Sequence, residues 1–162
     1  MKILISGSHG LVGSALASSL KGDGHEVFAL VRHAPHSETE VEWYPDRGSL
    51  ALSGMEGMDA VVHLAGESIA SSRWTNEKKQ RIRDSRVKAT TVLAEALGNL
   101  REPPKTLISA SAIGYYGDRG DLILTEGNAA GNDFLAGVCA EWENATQSAA
   151  KKGIRVVSAA LE

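Results

Sequence analysis

The sequence has almost no cysteine, few aromatic residues, no excess of positive charge and no long apolar run. Its single cysteine, Cys139, cannot close an internal disulfide, which fits a reducing, cytoplasmic compartment. Lys+Arg 17 against Asp+Glu 20 gives a net charge of −3, with a pI near 6.0. A nucleic-acid groove or an anionic membrane surface wants a basic excess, so neither is expected as a partner. No apolar stretch approaches the roughly 20 residues of a membrane span. The opening run Met1-Lys2-Ile3-Leu4-Ile5-Ser6 is too short for a signal peptide before the chain turns glycine-rich. The five histidines, His9, His25, His33, His36 and His63, show no ligand spacing on one helix, and Cys-x-x-Cys does not occur. No metal site is expected.

What is present is ordinary globular composition: 162 residues, 43% hydrophobic and 23% charged. That length predicts one domain that buries roughly 70% of its unfolded surface without disulfide or metal. Glycine, at 17 residues, is enriched over the usual ~7%, and its placement matters. Strand and helix signals alternate. Ile3–Ile5, Val27–Val31, Val41–Tyr44, Ala60–Ala65, Thr106–Ser109 and Ile154–Val157 read as strands, most of them continuous apolar runs as strands covered on both faces should be. Leu11 to Leu20, Thr75 to Leu97 and residues 132 to 151 carry helical spacing. The predicted fold is therefore α/β, a Rossmann-like doubly wound parallel sheet of about six strands in the order 3-2-1-4-5-6, filling residues 1–160.

The turn between the first strand and the first helix is Gly7-Ser8-His9-Gly10-Leu11-Val12-Gly13. Gly7 permits the tight turn, Gly10 lets backbone approach a pyrophosphate, and Gly13 lets the helix pack close to the sheet. The helix N-terminus then offers free N–H groups and partial positive charge to the anion. A glycine triplet in this strand–turn–helix context reads as dinucleotide binding. An acid closing the second strand would bind the ribose 2′-hydroxyl of NAD. The strand instead ends Val31-Arg32-His33, placing a guanidinium where the 2′-phosphate of NADP would lie. NADP is the expected cofactor.

The spacing Gly-x-x-Gly-x-x-Gly resembles the extended short-chain dehydrogenase/reductase superfamily. Four further stretches resemble its nucleoside-diphosphate-sugar epimerase-like branch: His63-Leu64-Ala65-Gly66-Glu67, Arg73-Trp74-Thr75, Ser109 through Tyr115-Tyr116-Gly117, and Phe134-Leu135 through Trp142-Glu143. The resemblance covers essentially the whole chain. It implies that Leu64, Ala65, Gly66 and Glu67 lie along the cofactor, that Arg86 reaches it, and that Ser111 contacts the reacting oxygen of a small-molecule substrate such as a sugar nucleotide or other carbonyl compound. Ser109, also at the end of strand five, falls where open α/β sheets bind ligands. Members of that family continue into a substrate-binding domain. This chain is therefore expected to be the dinucleotide-binding part, weak in cofactor binding and without turnover alone, its sixth strand an exposed edge prone to self-association.

One departure cuts against the standard chemistry. Short-chain dehydrogenases use Tyr-x-x-x-Lys, with tyrosine exchanging the proton and lysine lowering its pKa. Four residues after Tyr44, Tyr115 and Tyr116 stand Gly48, Arg119 and Gly120, and the aligned positions in the last helix are Phe134 and Val138. Tyr115 or Tyr116, relayed through Ser111, are the substitute acids. Two functions stay open: NADP-dependent hydride transfer, as in an epimerase or carbonyl oxidoreductase, and a non-catalytic dinucleotide-binding sensor or scaffold. The basic run Glu77 to Arg83 reads as a solvated helix face, and Thr125-Glu126 as a weak candidate substrate contact.

Overall fold

The computed structural model describes residues 1–71 and 73–161. Seven strands form one sheet: β1 (Lys2–Ser6), β2 (Glu26–Val31), β3 (Glu40–Tyr44), β4 (Ser49–Leu50), β5 (Ala60–His63), β6 (Thr106–Ala112) and β7 (Arg155–Leu161). They are ordered β4-β3-β2-β1-β5-β6-β7. All pairs are parallel except β3 with β4. Without the two-residue β4 this is the expected 3-2-1-4-5-6 order. The extra strand is a hairpin partner of β3, made after Pro45 and Gly48 turn the chain, with Gly48 at φ 61°.

The helices are α1 (Leu11–Gly22), α2 (Asn76–Gly98), α3 (Phe134–Asn144) and α4 (Gln147–Lys151). Alternation along β1 divides its side chains between two cores. Ile3 and Ile5, with Val27 and Val62, pack under Leu16, Ala17 and Leu20 of α1. Leu4, with Leu30, Val61 and Leu107, packs under Ala89, Leu93 and Leu97 of α2 on the opposite face. Both faces of the sheet are thereby covered by helices, as a buried parallel sheet requires, although β2 joins β3 through residues 32–39 without one.

The single helix expected over 132–151 is instead two. Thr146 turns its hydroxyl back to donate to the Glu143 carbonyl at 2.6 Å, and such back-bonding diverts a carbonyl from the helical ladder. Among the described residues no helix is long and apolar enough to cross a membrane.

Candidate functional site

The carboxyl ends of β1, β2 and β5 open onto a groove of about 560 Å3, lined among others by Gly7, Gly10, Arg32, Leu64, Gly66 and Glu67. The glycine turn forms one end of it. Gly7 has φ 72°, and a Cβ there would stand 2.9 Å from the Leu64 carbonyl carbon. A Cβ on Gly13 would stand 2.2 Å from the Gly7 carbonyl oxygen. Gly7 and Gly13 thus hold each other, so the turn depends on both rather than mainly on Gly7. Gly10 differs: its nearest neighbour would be the Gly7 oxygen at 3.3 Å, and its φ −74°, ψ 172° suit any residue. Gly10 is also the N-cap of α1 and contributes no side-chain cap. By contrast, Thr75 caps α2 by accepting from the Lys78 N–H, and Asp133 caps α3 by accepting from the Ala136 N–H.

The loop after β5 forms the facing wall and is tied from several sides. The Leu64 and Ala65 N–H groups donate to Ser6 Oγ at 3.1 and 3.3 Å. The Glu67 N–H donates to Ser85 Oγ at 3.0 Å, and Arg86 donates to the Glu67 carbonyl at 3.0 Å. Lys78 corrects the reading of Glu77–Arg83 as a solvated face. It points inward, only 1% exposed, and its Nζ donates to Glu67 Oε1 at 2.7 Å and to the Ser68 carbonyl and Ser71 Oγ at 2.6 Å each. All three ammonium protons are used, which is how a buried cation is accommodated. The Lys78 hydrogen bond also holds the Glu67 carboxyl below the usual carboxylate value. Lys78→Met is expected to raise amide exchange across residues 66–71 by roughly tenfold or more while β1 and β5 stay protected. Unchanged exchange in that loop would show it is held without the lysine.

Beneath the groove runs a buried polar chain. Ser6 Oγ and His63 Nδ1 are 2.6 Å apart, and His63 Nε2 and Thr90 Oγ1 are 2.9 Å apart. Trp142 Nε1–H also donates to Thr90 Oγ1, at 2.9 Å. Because Ser6 Oγ already accepts from two backbone N–H groups, its own proton goes to Nδ1. The network therefore assigns the Nε2–H tautomer, with Nε2–H donating to Thr90. Burial pushes the His63 pKa from 6.5 to about 4, so the ring is neutral at physiological pH.

The remaining expected residues divide. His9, Leu11, Val12 and His33 are exposed around the turn and the groove rim, Ser8 is half-buried, and Val31 is buried in the sheet. Arg86 sits beneath Gly66, its guanidinium over the Trp142 ring at 5.2 Å. It braces the wall. Ser109 and Ser111 are 1% and 2% exposed, and the Ser111 hydroxyl donates to Glu143 Oε1 at 2.6 Å. Tyr115 and Tyr116 meet edge to face at 5.2 Å, and Tyr116 lines a second hollow with Gly117, Asp118 and Arg119. Phe134 carries the Trp74 edge at 6.0 Å and the Lys79 ammonium at 5.4 Å. Trp43, Pro45, Asp46, Asp84 and Lys88 also line the groove. They were not anticipated, because β3 and α2 reach it only through the folded sheet. Burial pushes the Cys139 thiol above its ordinary pKa, which leaves it a poor nucleophile.

Parallel strands in this order, a glycine turn feeding an uncapped helix and a groove at the strand ends define a Rossmann-like α/β protein. The chain belongs to the NAD dependent epimerase/dehydratase family, whose profile matches residues 3–158. It is 43% identical over 157 residues to an epimerase family protein of Mycobacterium bovis, a match covering 97% of this chain and 52% of that protein. The chain spans about half the length of the curated relatives it matches. Its fold superposes on the crystal structure of a nucleoside-diphosphate sugar epimerase from Corynebacterium glutamicum with TM-score 0.86 and 44% identity, over 99% of this chain and 33% of that one. It also superposes on the human epimerase family protein SDR39U1, solved with NADPH, with TM-score 0.80 and 29% identity over 90% and 48% of the two chains.

Proposed function

We propose that the groove binds NADP and that the protein of which these residues form the nucleotide-binding part transfers a hydride to or from a carbonyl or sugar-nucleotide substrate. The observation that carries this reading is the bare N-terminus of α1. Gly10 faces the groove with no side chain and no side-chain cap, so the first N–H groups of the helix are left for an anionic ligand. The cradle also fits a dinucleotide in its other parts. Gly10 leaves room for a pyrophosphate, and Gly7 lets the turn close against Leu64 beside it. Trp43, 2% exposed and lining the groove, has an Nε1–H without a partner among the described residues.

Arg32, exposed on the rim at the end of β2, supports the phosphorylated cofactor. The groove's acids lie elsewhere: Asp46 follows β3, Glu67 after β5 is paired with Lys78 at 2.7 Å, and Asp84 on α2 is paired with Lys88 at 2.8 Å. The relative solved with NADPH points the same way. NADPH should bind roughly tenfold or more tighter than NADH, as a charge-assisted guanidinium–phosphate contact implies. Fluorescence titration of both cofactors into wild type and Arg32→Ala tests this. Equal affinities, or no loss of NADPH binding in the variant, would remove the assignment.

A bound nicotinamide supplies the hydride. The chain's own task is to bind, orient and move a proton. Phe134 and Val138 can do none of the last, so Ser111 with Tyr115 or Tyr116 carries it in this reading. The competing reading is a binding module without catalysis. It is favoured by one observation: the Ser111 hydroxyl is nearly inaccessible and already bound to Glu143. NADPH oxidation with a panel of carbonyl compounds and sugar nucleotides separates the two. Turnover supports the enzyme; tight NADPH binding with no turnover supports the module.

A further inference from the structure

We infer that the loop between β2 and β3 is a binding site for a divalent transition-metal ion of the zinc class, with His33, His36 and Glu40 as its protein ligands. One donor atom from each of the three lies within 4.8 Å of the others, and the two imidazole rings lie nearly parallel, 4.8 Å apart at 22°. Two imidazoles and one carboxylate are a donor set that zinc takes, leaving a position for water.

What separates this cluster from a chance meeting of surface side chains is that two of its three members, His33 and Glu40, are oriented from behind. His33 Nδ1 lies 2.9 Å from the Ala34 carbonyl. A carbonyl only accepts, so Nδ1 carries the proton and Nε2 keeps its lone pair for an ion. A metal-bound histidine is normally fixed in this way, by donating its other N–H to a backbone carbonyl. Glu40 is fixed as well: its Oε2 accepts the His36 N–H at 2.7 Å, so the carboxylate is drawn over the loop that carries both histidines. The loop is knitted by further bonds. The Glu40 N–H donates to the Ser37 carbonyl at 3.2 Å, and the Ala29 N–H donates to the Thr39 carbonyl at 2.8 Å. Pro35, between the histidines, fixes its own φ and narrows the loop's freedom.

The adjustment needed is small. Ligand nitrogens around tetrahedral zinc stand about 3.3 Å apart, so the donors must close by an ångström or two. The two histidines are exposed and Glu40 is half-buried, so side-chain rotation alone can bring them together. Helical spacing misses the cluster because its ligands stand on a loop and at the strand after it, where only the turn over residues 37–40 brings them together. The cluster is distinct from the glycine turn and from the wall braced by Lys78.

Isothermal titration of tag-free protein with Zn²⁺, and separately with Co²⁺ followed by its visible absorption, tests the inference. Wild type is expected to take up one ion per chain. His33→Ala and His36→Ala should each weaken binding roughly tenfold or more, the scale on which metal sites respond when their coordination is disturbed. His25→Ala, which removes a half-buried histidine elsewhere, should leave binding unchanged, and circular dichroism of each variant should match wild type. The inference is overturned if wild type binds no ion, or if the His33→Ala/His36→Ala double variant binds as wild type does.

Discussion

Gly10→Val is expected to abolish dinucleotide binding in a chain that still folds, while Gly13→Ala is expected to damage the fold itself. The two glycines sit three residues apart in one turn, and their surroundings are opposite. At Gly10 the backbone is extended and its nearest obstacle, the Gly7 oxygen at 3.3 Å, needs to give by only a few tenths of an ångström. A valine there fits the chain but fills the space in front of the α1 N-terminus that a pyrophosphate would use. At Gly13 even one methyl group would lie 2.2 Å from the Gly7 oxygen and 2.9 Å from the Gly7 carbonyl carbon and Ser8 Cα, all of them backbone. Nothing flexible can move aside, so α1 must shift off the sheet. That cost should reach about 3 kcal/mol, the upper part of the overpacking range. Urea unfolding and NADPH titration on both variants check the pair. A stable Gly13→Ala chain, or a folded Gly10→Val chain with unchanged NADPH affinity, would mean the turn has been misread.

Acid is expected to weaken the fold through His63. Its folded pKa is depressed to about 4 from 6.5 by burial. The unfolded chain therefore takes up the proton first, and stability is unaffected above about pH 6.5. Between pH 6.5 and 4 it should fall by about 1.4 kcal/mol per pH unit, amounting to roughly 3 kcal/mol in all. Protonation also takes away the Nδ1 lone pair that receives the Ser6 hydroxyl, so the strain falls on the bond under Leu64 and Ala65. Denaturant unfolding of wild type and His63→Asn across this range isolates the effect, since the other histidines are common to both. The stability gap between them should shrink as the pH drops. A gap that stays constant would show that His63 is not the group being titrated.

The sheet was legible because parallel strands buried on both faces write themselves as unbroken apolar runs, and Gly7 and Gly13 mark where the first turns into a helix. Strand order then follows from handedness and coverage. β4 escaped because two residues carry no periodicity, and the break before α4 because it depends on one hydroxyl choosing a carbonyl. Lys78 was illegible for a deeper reason. Within Glu77–Arg83 it looks like its neighbours, and only the path of the loop from Glu67 to Ser71, brought over the start of α2, makes it an interior residue. Asp46, Asp84 and Trp43 likewise join the groove through β3 and α2, at distances along the chain that no local pattern records. Family resemblance singles out Arg86 as reaching the cofactor, whereas its place under Gly66 and against Trp142 follows from packing that resemblance does not describe.

The two long walls of the groove differ in how firmly they are held, and this bears on the timing of exchange. On the β5 side the Leu64, Ala65 and Glu67 amides and the Glu67 and Ser68 carbonyls are fastened by Ser6, Ser85, Arg86 or Lys78. On the β2–β3 side the rim is Arg32, an exposed arginine with ordinary side-chain freedom. A ligand leaving the groove therefore does so past the guanidinium rather than by lifting the loop. Residence time should then be set on that side, with changes at Arg32 lengthening or shortening the stay.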